Sequence, residues 1–200
     1  MATASAVCEL ASGQCQTGAV GQIAVHEFVS LDSVFEDPAW TFEVGFDPAM
    51  GERIGQITDA ADGILLGRTT YEMFAPAWSS RTAEDDPGAP FFNDTRKYVV
   101  ATAPPAVDWG PVTILDGYDA DAIRDLKHSS DGLLYVSGSG TLVRALLGDG
   151  LVDQLHLFVF PMLLGSGQRL FDDTGDRRRL TLREHTAYPN GVVHLHYAPA

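Results

Sequence analysis

The sequence has few cysteines, and both of them lie near its beginning. Cys8 and Cys15 are the 2 cysteines among 200 residues, so a disulfide between them would close only a local loop. Free thiols are typical of a reducing compartment, and we expect a cytoplasmic protein. Residues 1–21 are small and polar, which we interpret as a flexible tail before one domain at 22–200. No histidine lies near the cysteines, so we expect no metal there.

Basic residues are also scarce. Lysine and arginine number 13 against 27 acidic residues, which gives a net charge of −14. A general affinity for nucleic acid or for an anionic membrane surface is therefore not expected, because both depend on clustered cations. No apolar run is long enough for a membrane span or a signal peptide. A phosphate ligand would have to be held by a few local groups.

Strand and helix patterns alternate through the middle of the chain. Apolar runs at 23–30, 63–67, 97–102, 112–115 and 133–140, the last ending in glycines, predict strands, and helical spacing predicts helices at 47–61, 69–78, 119–129 and 141–148. This order is typical of an α/β fold with a mixed, mostly parallel sheet covered by helices on both faces, in three layers. The polar stretch 79–95 is interpreted as a long surface loop.

The last third changes character. Residues 154–165 predict a long apolar strand, and residues 181–199 predict an antiparallel hairpin with a type I′ turn at Asn190 and Gly191. A long apolar strand at a sheet edge is usually paired or covered, so we expect a homodimer.

Two junctions between a strand and a helix carry the candidate binding residues. In an open α/β sheet such junctions face one crevice, where glycines allow close approach, hydroxyls donate hydrogen bonds and an arginine binds phosphate. The alternative is that each junction is only a capped helix after a strand. The candidates are Gly67, Arg68, Thr69 and Thr70 at the first junction, and Gly138, Ser139, Gly140 and Thr141 at the second.

These motifs resemble a known superfamily. "GRTTYE", "TRKYVVATAP" and "YVSGSGTL" resemble segments of dihydrofolate reductase in the same order. "FVSLDSVFE" and "LLGDGLVDQLHLFVFPMLLGSGQRLF" are more similar to the C-terminal reductase domain of the bifunctional riboflavin-biosynthesis deaminase-reductase and to its stand-alone bacterial relatives. The deaminase motifs H-x-E and P-C-x-x-C are absent from the sequence. The resemblance covers about residues 22–198.

The resemblance implies a dihydrofolate-reductase-like fold and NADPH as the hydride donor. Arg68 and Thr70 resemble the residues that contact the cofactor phosphates, Thr102 resembles a hydroxyl near the adenosine 2′-phosphate, and Ser139, Gly140 and Thr141 resemble the pyrophosphate turn. A charged hydrogen bond from Arg68 would favour NADPH over NADH.

The substrate side departs from both relatives. Met50 stands where dihydrofolate reductase has its acidic residue, and Ser33 and Val34 replace the glycine and the cation of the riboflavin-type domain. Asp32 is the candidate for substrate binding or proton delivery, with a turn-capping aspartate as the equal alternative. The other substrate-side candidates are Phe35 and Met50, with Trp40 and Phe46 as further aromatic residues.

Two histidines alternate near the end of the chain. His194 and His196 would share one face of a strand, but no carboxylate or third histidine lies near them in sequence, so exposed strand positions are the simpler interpretation. We expect no metal site. The sequence thus predicts an NADPH-dependent reductase acting on a C=N or C=O bond of a small substrate. The alternatives are an NADP(H)-binding sensor or assembly protein without turnover and, on the resemblance, a dihydrofolate reductase, which the departure at Met50 disfavours.

Overall fold

The computed structural model describes residues 21–171 and 177–200. The predicted tail at 1–20, with both cysteines, lies outside these residues. The strands are β1 (Gln22–Ser30), β2 (Ala61–Gly67), β3 (Lys97–Ala101), β4 (Val112–Asp116), β5 (Leu133–Ser137), β6 (Gln154–Phe160), β7 (Leu180–Ala187) and β8 (Val193–Pro199). The helices are α1 (Thr41–Val44), α2 (Pro48–Asp59), α3 (Arg68–Trp78), α4 (Ala89–Asp94), α5 (Ala120–Ser129) and α6 (Gly140–Gly148), and a 3-10 turn spans Pro38–Trp40.

The eight strands form one sheet in the order β4-β3-β2-β5-β1-β6-β8-β7. All pairings from β4 to β6 are parallel, whereas β8 runs antiparallel to both β6 and β7. The α/β class with a mostly parallel sheet and an antiparallel end is confirmed. Since β1 lies between β5 and β6, its carboxyl end lies where the strand order reverses, which is the usual ligand position in such sheets.

The core forms two layers, one on each face of the sheet. Residues of α2, α3 and α4 pack on one face, and residues of α5 and α6 pack on the other. The two faces explain why β1 is apolar on both sides, with Ala24 in the first layer and Ile23 and Val25 in the second. The three-layer arrangement expected from the sequence is therefore observed.

Local signals explain where the helices begin. The Asp47 carboxylate accepts a hydrogen bond of 2.9 Å from the Ala49 N–H, and Pro48 occupies the first position of α2. Asp119 caps α5 in the same way, at 2.9 Å from the Asp121 N–H. None of the helices in 21–171 and 177–200 is long and apolar enough to cross a membrane.

Two local predictions were wrong. The polar stretch 79–95 contains α4, because Phe92 turns inward and packs in the core. The hairpin turn is not type I′: Gly191 has φ +86°, but Asn190 is not among the residues of positive φ in the described chain. The Gly191 N–H instead closes a turn on the Tyr188 carbonyl at 2.9 Å, with Pro189 at the position that favours an ordinary turn.

The edge-strand argument for a homodimer was also wrong. The predicted strand at 154–165 ends at Phe160, before Pro161, and the resulting β6 lies inside the sheet between β1 and β8. The edges of the sheet are β4 and β7. A homodimer therefore stays a prediction without this support.

Candidate functional site

The first junction connects β2 to α3 without an intervening residue. Gly67 ends the strand and precedes the helix, whose first turn contains Arg68, Thr69 and Thr70. No side chain of the described residues caps α3, so the Thr69 and Thr70 hydroxyls do not have the capping role that the sequence allowed. Unpaired N–H groups at the start of such a helix attract anions.

The second junction connects β5 to α6. Gly138 and Ser139 both adopt left-handed backbone conformations, with φ +62° and +59°, and α6 begins at Gly140. The Ser139 hydroxyl accepts a hydrogen bond of 2.9 Å from the Gly67 N–H. This bond joins the two junctions directly, so both helix starts face one crevice, as the sequence predicted.

Two of the glycines are required by close packing. A Cβ atom on Gly138 would lie 2.9 Å from Cγ2 of Thr70, and one on Gly140 would lie 2.2 Å from Cζ of Phe35. Both distances are shorter than van der Waals contact, so a side chain at either position would push the crevice apart. Thr70 and Phe35 therefore pack directly against the backbone of the second junction.

The crevice opens into a cavity of about 550 Å³, a volume common for small-molecule sites. Its wall combines the ends of β1, β2 and β5, the starts of α3 and α6, and the loop after β1. The lining residues are Glu27, Phe28, Phe35–Pro38, Gly67–Thr70, Met73, Phe74, Val100, Tyr118, Ser137–Leu142, Ala145 and Gln168. Eight of the nine predicted cofactor-binding residues, all except Thr102, lie in this wall.

Arg68 is the basic residue of the cavity wall. Its side chain is exposed, and no ion pair joins it to an acidic group in 21–171 or 177–200. A guanidinium that is free of carboxylates can form a paired hydrogen bond with a phosphate. Arg68 therefore supplies positive charge beside the two helix starts.

The sequence reasoning missed Glu27, which lies in the same wall. Its side chain is only 3% exposed, and its Oε1 atom has no hydrogen-bond partner in the described chain. Burial raises the pKa of this carboxyl well above its usual value, and the backbone N–H of Gly138 acts in the opposite direction. The only available sequence signal was a single acidic residue inside the apolar strand "IAVHEFVS".

An aromatic cluster borders the cavity on the face of β1 opposite to Glu27, because neighbouring strand residues point to opposite faces. Phe28 lines the cavity and packs edge-on against Phe46 and Phe160, at ring distances of 5.5 and 5.6 Å. Trp40 contacts Phe160 at 5.4 Å. A flat, largely apolar group in the cavity would pack well against the Phe28 ring.

Comparison with known proteins gives the family. A model of the RibD C-terminal domain matches residues 22–194. The chain belongs to the RibD C-terminal domain family. This confirms the resemblance found in the sequence. A sequence relative is the uncharacterized protein YyaP of Bacillus subtilis, 25% identical over 154 residues, which are 76% of this chain and 80% of that protein.

Two solved structures show the same fold. A putative riboflavin biosynthesis protein from Shewanella superposes with a TM-score of 0.73 at 21% identity, covering 90% of this chain and 99% of that one. Dihydrofolate reductase from Enterococcus faecalis, complexed with NADP(H), gives a TM-score of 0.59 at 12% identity, covering 90% and 97%. This RibD C-terminal domain therefore has the dihydrofolate-reductase-like fold that the resemblance implied.

In this RibD C-terminal domain, Asp32 lies outside the cavity wall. Its carboxylate accepts hydrogen bonds from the Ser30 hydroxyl at 2.6 Å and from the N–H groups of Leu164 and Gly165 at 3.1 and 2.8 Å. These bonds lower the pKa of Asp32 to about 2. The geometry matches the turn-capping alternative, in which Asp32 holds the loop after β1 against the loop after β6.

Two further predicted residues lie away from the cavity of this domain. Met50 is 0% exposed and packs in the core layer of α2, because helical spacing turns it inward with Ile57. Thr102 is exposed beside Gly117, whereas its neighbours Val100 and Tyr118 line the cavity. Neither Met50 nor Thr102 lines the cavity.

The two histidines near the end of the domain are not at exposed positions, contrary to the simpler sequence interpretation. His194 is 0% exposed, and the His156 ring lies between His194 and His196, at 5.3 and 4.1 Å. Nδ1 of His156 lies 3.0 Å from Nε2 of His194. Within 21–171 and 177–200 no group of His, Cys, Asp and Glu has a metal-binding arrangement.

Proposed function

We propose that this protein is an NADPH-dependent reductase of a small substrate. The observation that carries the proposal is the bond between Ser139 and Gly67, which brings two helix starts and Arg68 to one cavity. Two adjacent anion sites with a fixed cation suit a dinucleotide that carries an additional phosphate. NADPH has those features, while NADH lacks the additional phosphate.

The residues present fit this cofactor. The backbone at Gly138 and Ser139 is left-handed, and a Cβ at Gly138 or Gly140 would collide with neighbours. A pyrophosphate at this turn would receive N–H hydrogen bonds from the start of α6. Arg68 would bind the 2′-phosphate, and Val100 and Tyr118 would border the adenosine.

The comparisons support the proposal at the level of family and fold. The chain matches the RibD C-terminal domain over 22–194, and the related fold of Enterococcus faecalis dihydrofolate reductase is complexed with NADP(H). Fold alone does not fix an activity, so the proposal depends on the cavity residues described above.

When bound, NADPH supplies a hydride to carbon, and a proton must reach the nitrogen or oxygen of the reduced C=N or C=O bond. The chain's part is to hold the two reactants together and to exclude water. Phe28, supported from behind by Phe46, would pack against a flat heterocycle or a sugar-derived group. Val34 is buried where the riboflavin-type domain has a cation, so we propose a substrate other than the phosphorylated riboflavin precursor.

A cofactor titration tests the proposal. Purified protein is titrated with NADPH and with NADH while nicotinamide fluorescence is followed, for the wild type, Arg68→Ala and Arg96→Ala. Loss of one charged hydrogen-bonded pair should weaken NADPH binding by roughly 10- to 100-fold and leave NADH nearly unchanged. Arg96 is an exposed arginine outside the cavity wall, bonded to Thr113 at 3.3 Å, and serves as the matched control.

The outcomes separate three cases. No binding of NADPH at sub-millimolar concentration would contradict the proposal, and equal losses of NADPH and NADH would remove the 2′-phosphate role of Arg68. NADPH oxidation with a panel of pyrimidines, pteridines and small carbonyl compounds then tests turnover. Tight NADPH binding without oxidation of any panel member would contradict the reductase and favour a cofactor-binding protein.

A further inference from the structure

Glu27 is a buried acid whose position the phosphate-binding role does not explain. It lies in the cavity wall with a side chain that is 3% exposed. Its Oε1 atom has no hydrogen-bond partner in 21–171 or 177–200. A buried polar atom left unpaired destabilises the free protein, so a bound group that pairs with this atom would remove that cost.

The surroundings of Glu27 favour its neutral form. No cation pairs with it in the described chain, and burial raises the pKa of its carboxyl well above the usual value, against a smaller effect of the Gly138 N–H. An ionised carboxylate at this place would repel the phosphates proposed for the same cavity. A neutral carboxyl group has one donor and one acceptor side by side.

The neighbouring residues indicate a flat, neutral partner. Phe35 lines the cavity and packs in the core layer on the face of β1 that Glu27 shares with Val25, and its ring contacts Gly140, two residues from Gly138. Arg68 and the helix starts attract the phosphates. The part of the cavity next to Glu27 is therefore left for an aromatic ring that carries a neutral hydrogen-bonding group.

We propose that Glu27 binds the carboxamide group of the nicotinamide ring, donating a hydrogen bond to its oxygen and accepting one from its NH₂ group. This inference rests on the proposed NADPH function and adds a residue that positions the ring for hydride transfer. A carboxamide presents one acceptor and one donor on adjacent atoms, which is the complement of a neutral carboxyl group. Glu27 is thus a positioning residue, because it orients the ring while the hydride leaves from another atom.

Two variants of the full chain test the inference, Glu27→Gln and Glu27→Leu. Glutamine keeps one donor and one acceptor but cannot ionise, whereas leucine keeps the approximate size and loses both. At the acidic end of the pH series, Glu27→Leu should bind NADPH roughly 10-fold more weakly than the wild type, and Glu27→Gln should stay within about threefold. Circular dichroism and thermal unfolding establish that each variant is folded.

The pH dependence distinguishes this role from a structural one. Because the proposed form of Glu27 is protonated, wild-type affinity for NADPH should fall as pH rises through the raised pKa, by up to about 10-fold per pH unit. Glu27→Gln cannot ionise and should lack that step. The other ionisable groups around the cavity are present in both wild type and Glu27→Gln, so their effect on the pH profile of NADPH affinity is the same in both proteins. They are Tyr135 of β5 and the cavity residues Glu36, Asp37, Arg68 and Tyr118.

A cofactor analogue supplies a second measurement. In nicotinic acid adenine dinucleotide phosphate, reduced to match NADPH, a carboxylate replaces the carboxamide. The ratio of the affinity for NADPH to the affinity for this analogue should be roughly 10-fold larger in the wild type than in Glu27→Leu. The reason is that Glu27 contacts the group in which the two cofactors differ.

Each outcome has a clear meaning. Equal NADPH affinity of wild type and Glu27→Leu, or parallel pH profiles of wild type and Glu27→Gln, would overturn the role of Glu27 while leaving the proposed function intact. If the wild type itself fails to bind NADPH, both the proposed function and this inference are overturned.

Discussion

At the scale of single residues, Ser33 carries a conformational cost. Its φ is +66°, in the left-handed region that favours glycine. The position is fixed by its neighbours, since the Ser33 N–H donates to the Ser30 carbonyl at 2.9 Å and the Ser33 carbonyl accepts from the Leu170 N–H at 2.9 Å. The relatives' glycine at this place therefore has a structural reason, and serine adopts the same turn under strain.

Ser33→Gly should stabilise the protein by about 0.5–1 kcal/mol, because glycine adopts a positive φ without the Cβ clash. Urea unfolding of wild type and variant measures the change. Ser139→Gly is the matched control: Ser139 is also left-handed, at φ +59°, but its hydroxyl bonds to the Gly67 N–H. Ser139→Gly should therefore raise the free energy of unfolding by less than Ser33→Gly does, or lower it. A lower free energy of unfolding in Ser33→Gly would contradict the strain argument.

The residue scale also shows why some site residues could be predicted and others could not. Gly67, Arg68, Gly138 and Gly140 stand out because glycine or arginine between an apolar run and a helix is typical of an anion-binding helix start. Glu27 gave only a weak signal, since whether a strand residue borders the crevice depends on which strands flank its own strand. In the structure β5 and β6 flank β1, and that order brings Glu27 to the crevice.

At the scale of elements, the close contact between α6 and the loop after β1 can be tested. A Cβ on Gly140 would lie 2.2 Å from the Phe35 ring, so Gly140→Ala should destabilise the protein by about 1–3 kcal/mol through overpacking. It should also weaken NADPH binding, because the turn at Ser139 and Phe35 must shift. Urea unfolding and fluorescence titration measure the two effects.

The same helix supplies the control. Gly148 is the last residue of α6, and a Cβ there would meet nothing within 4 Å. Gly148→Ala should therefore be neutral or stabilising by up to about 1 kcal/mol. Equal effects of the two substitutions would show that Phe35 does not limit the space at Gly140.

Elements with local signals were predicted well, and those set by distant contacts were not. α2 has its own cap at Asp47 and its proline at the first position, so the pattern alone located it. By contrast, α4 is a short helix held by the packing of Phe92 on Trp78 at 4.2 Å, which no local pattern specifies. The apolar sequence of β6 fits an interior strand, but its neighbours β1 and β8 follow from the chain connections and not from a local pattern.

At the scale of the whole molecule, buried histidines should control stability towards acid. Burial lowers the pKa of His26 to about 3 and that of His194 to about 4, and it also lowers the pKa of His156. Each becomes able to take up a proton on unfolding once the pH falls below the ordinary value of 6.5. The folded state should therefore lose stability as pH falls through this window.

We expect the unfolding free energy to fall by as much as about 1.4 kcal/mol per pH unit for each histidine that titrates. Urea unfolding at about pH 7.5, 6.5 and 5.5 measures the slope. Glu27 acts in the opposite direction, since its raised pKa favours the folded state as pH falls, so the series is repeated in Glu27→Gln. Wild type and Glu27→Gln have the same charged and titratable residues around the three histidines, so these residues contribute equally to both series. They are Tyr135, His196, Arg53 and Glu184.

His194→Asn should give a shallower slope than the wild type, because one buried titrating ring is removed. His185→Asn is the control, since His185 is exposed in β7, and its slope should equal that of the wild type. A stability that does not change between about pH 7.5 and about pH 5.5 would show that these rings do not resist protonation.

The central claim is that one cavity between β1, β2 and β5 holds NADPH, with its phosphates at the two helix starts and its nicotinamide at Glu27. A crystal structure of the full chain with bound NADP⁺ tests it most directly. The expected result places the pyrophosphate on the N–H groups of Ser139–Thr141, the 2′-phosphate at Arg68 and the carboxamide within hydrogen-bond distance of Glu27. Density for the cofactor at another surface, or a nicotinamide turned away from Glu27 with the phosphates elsewhere, would contradict it.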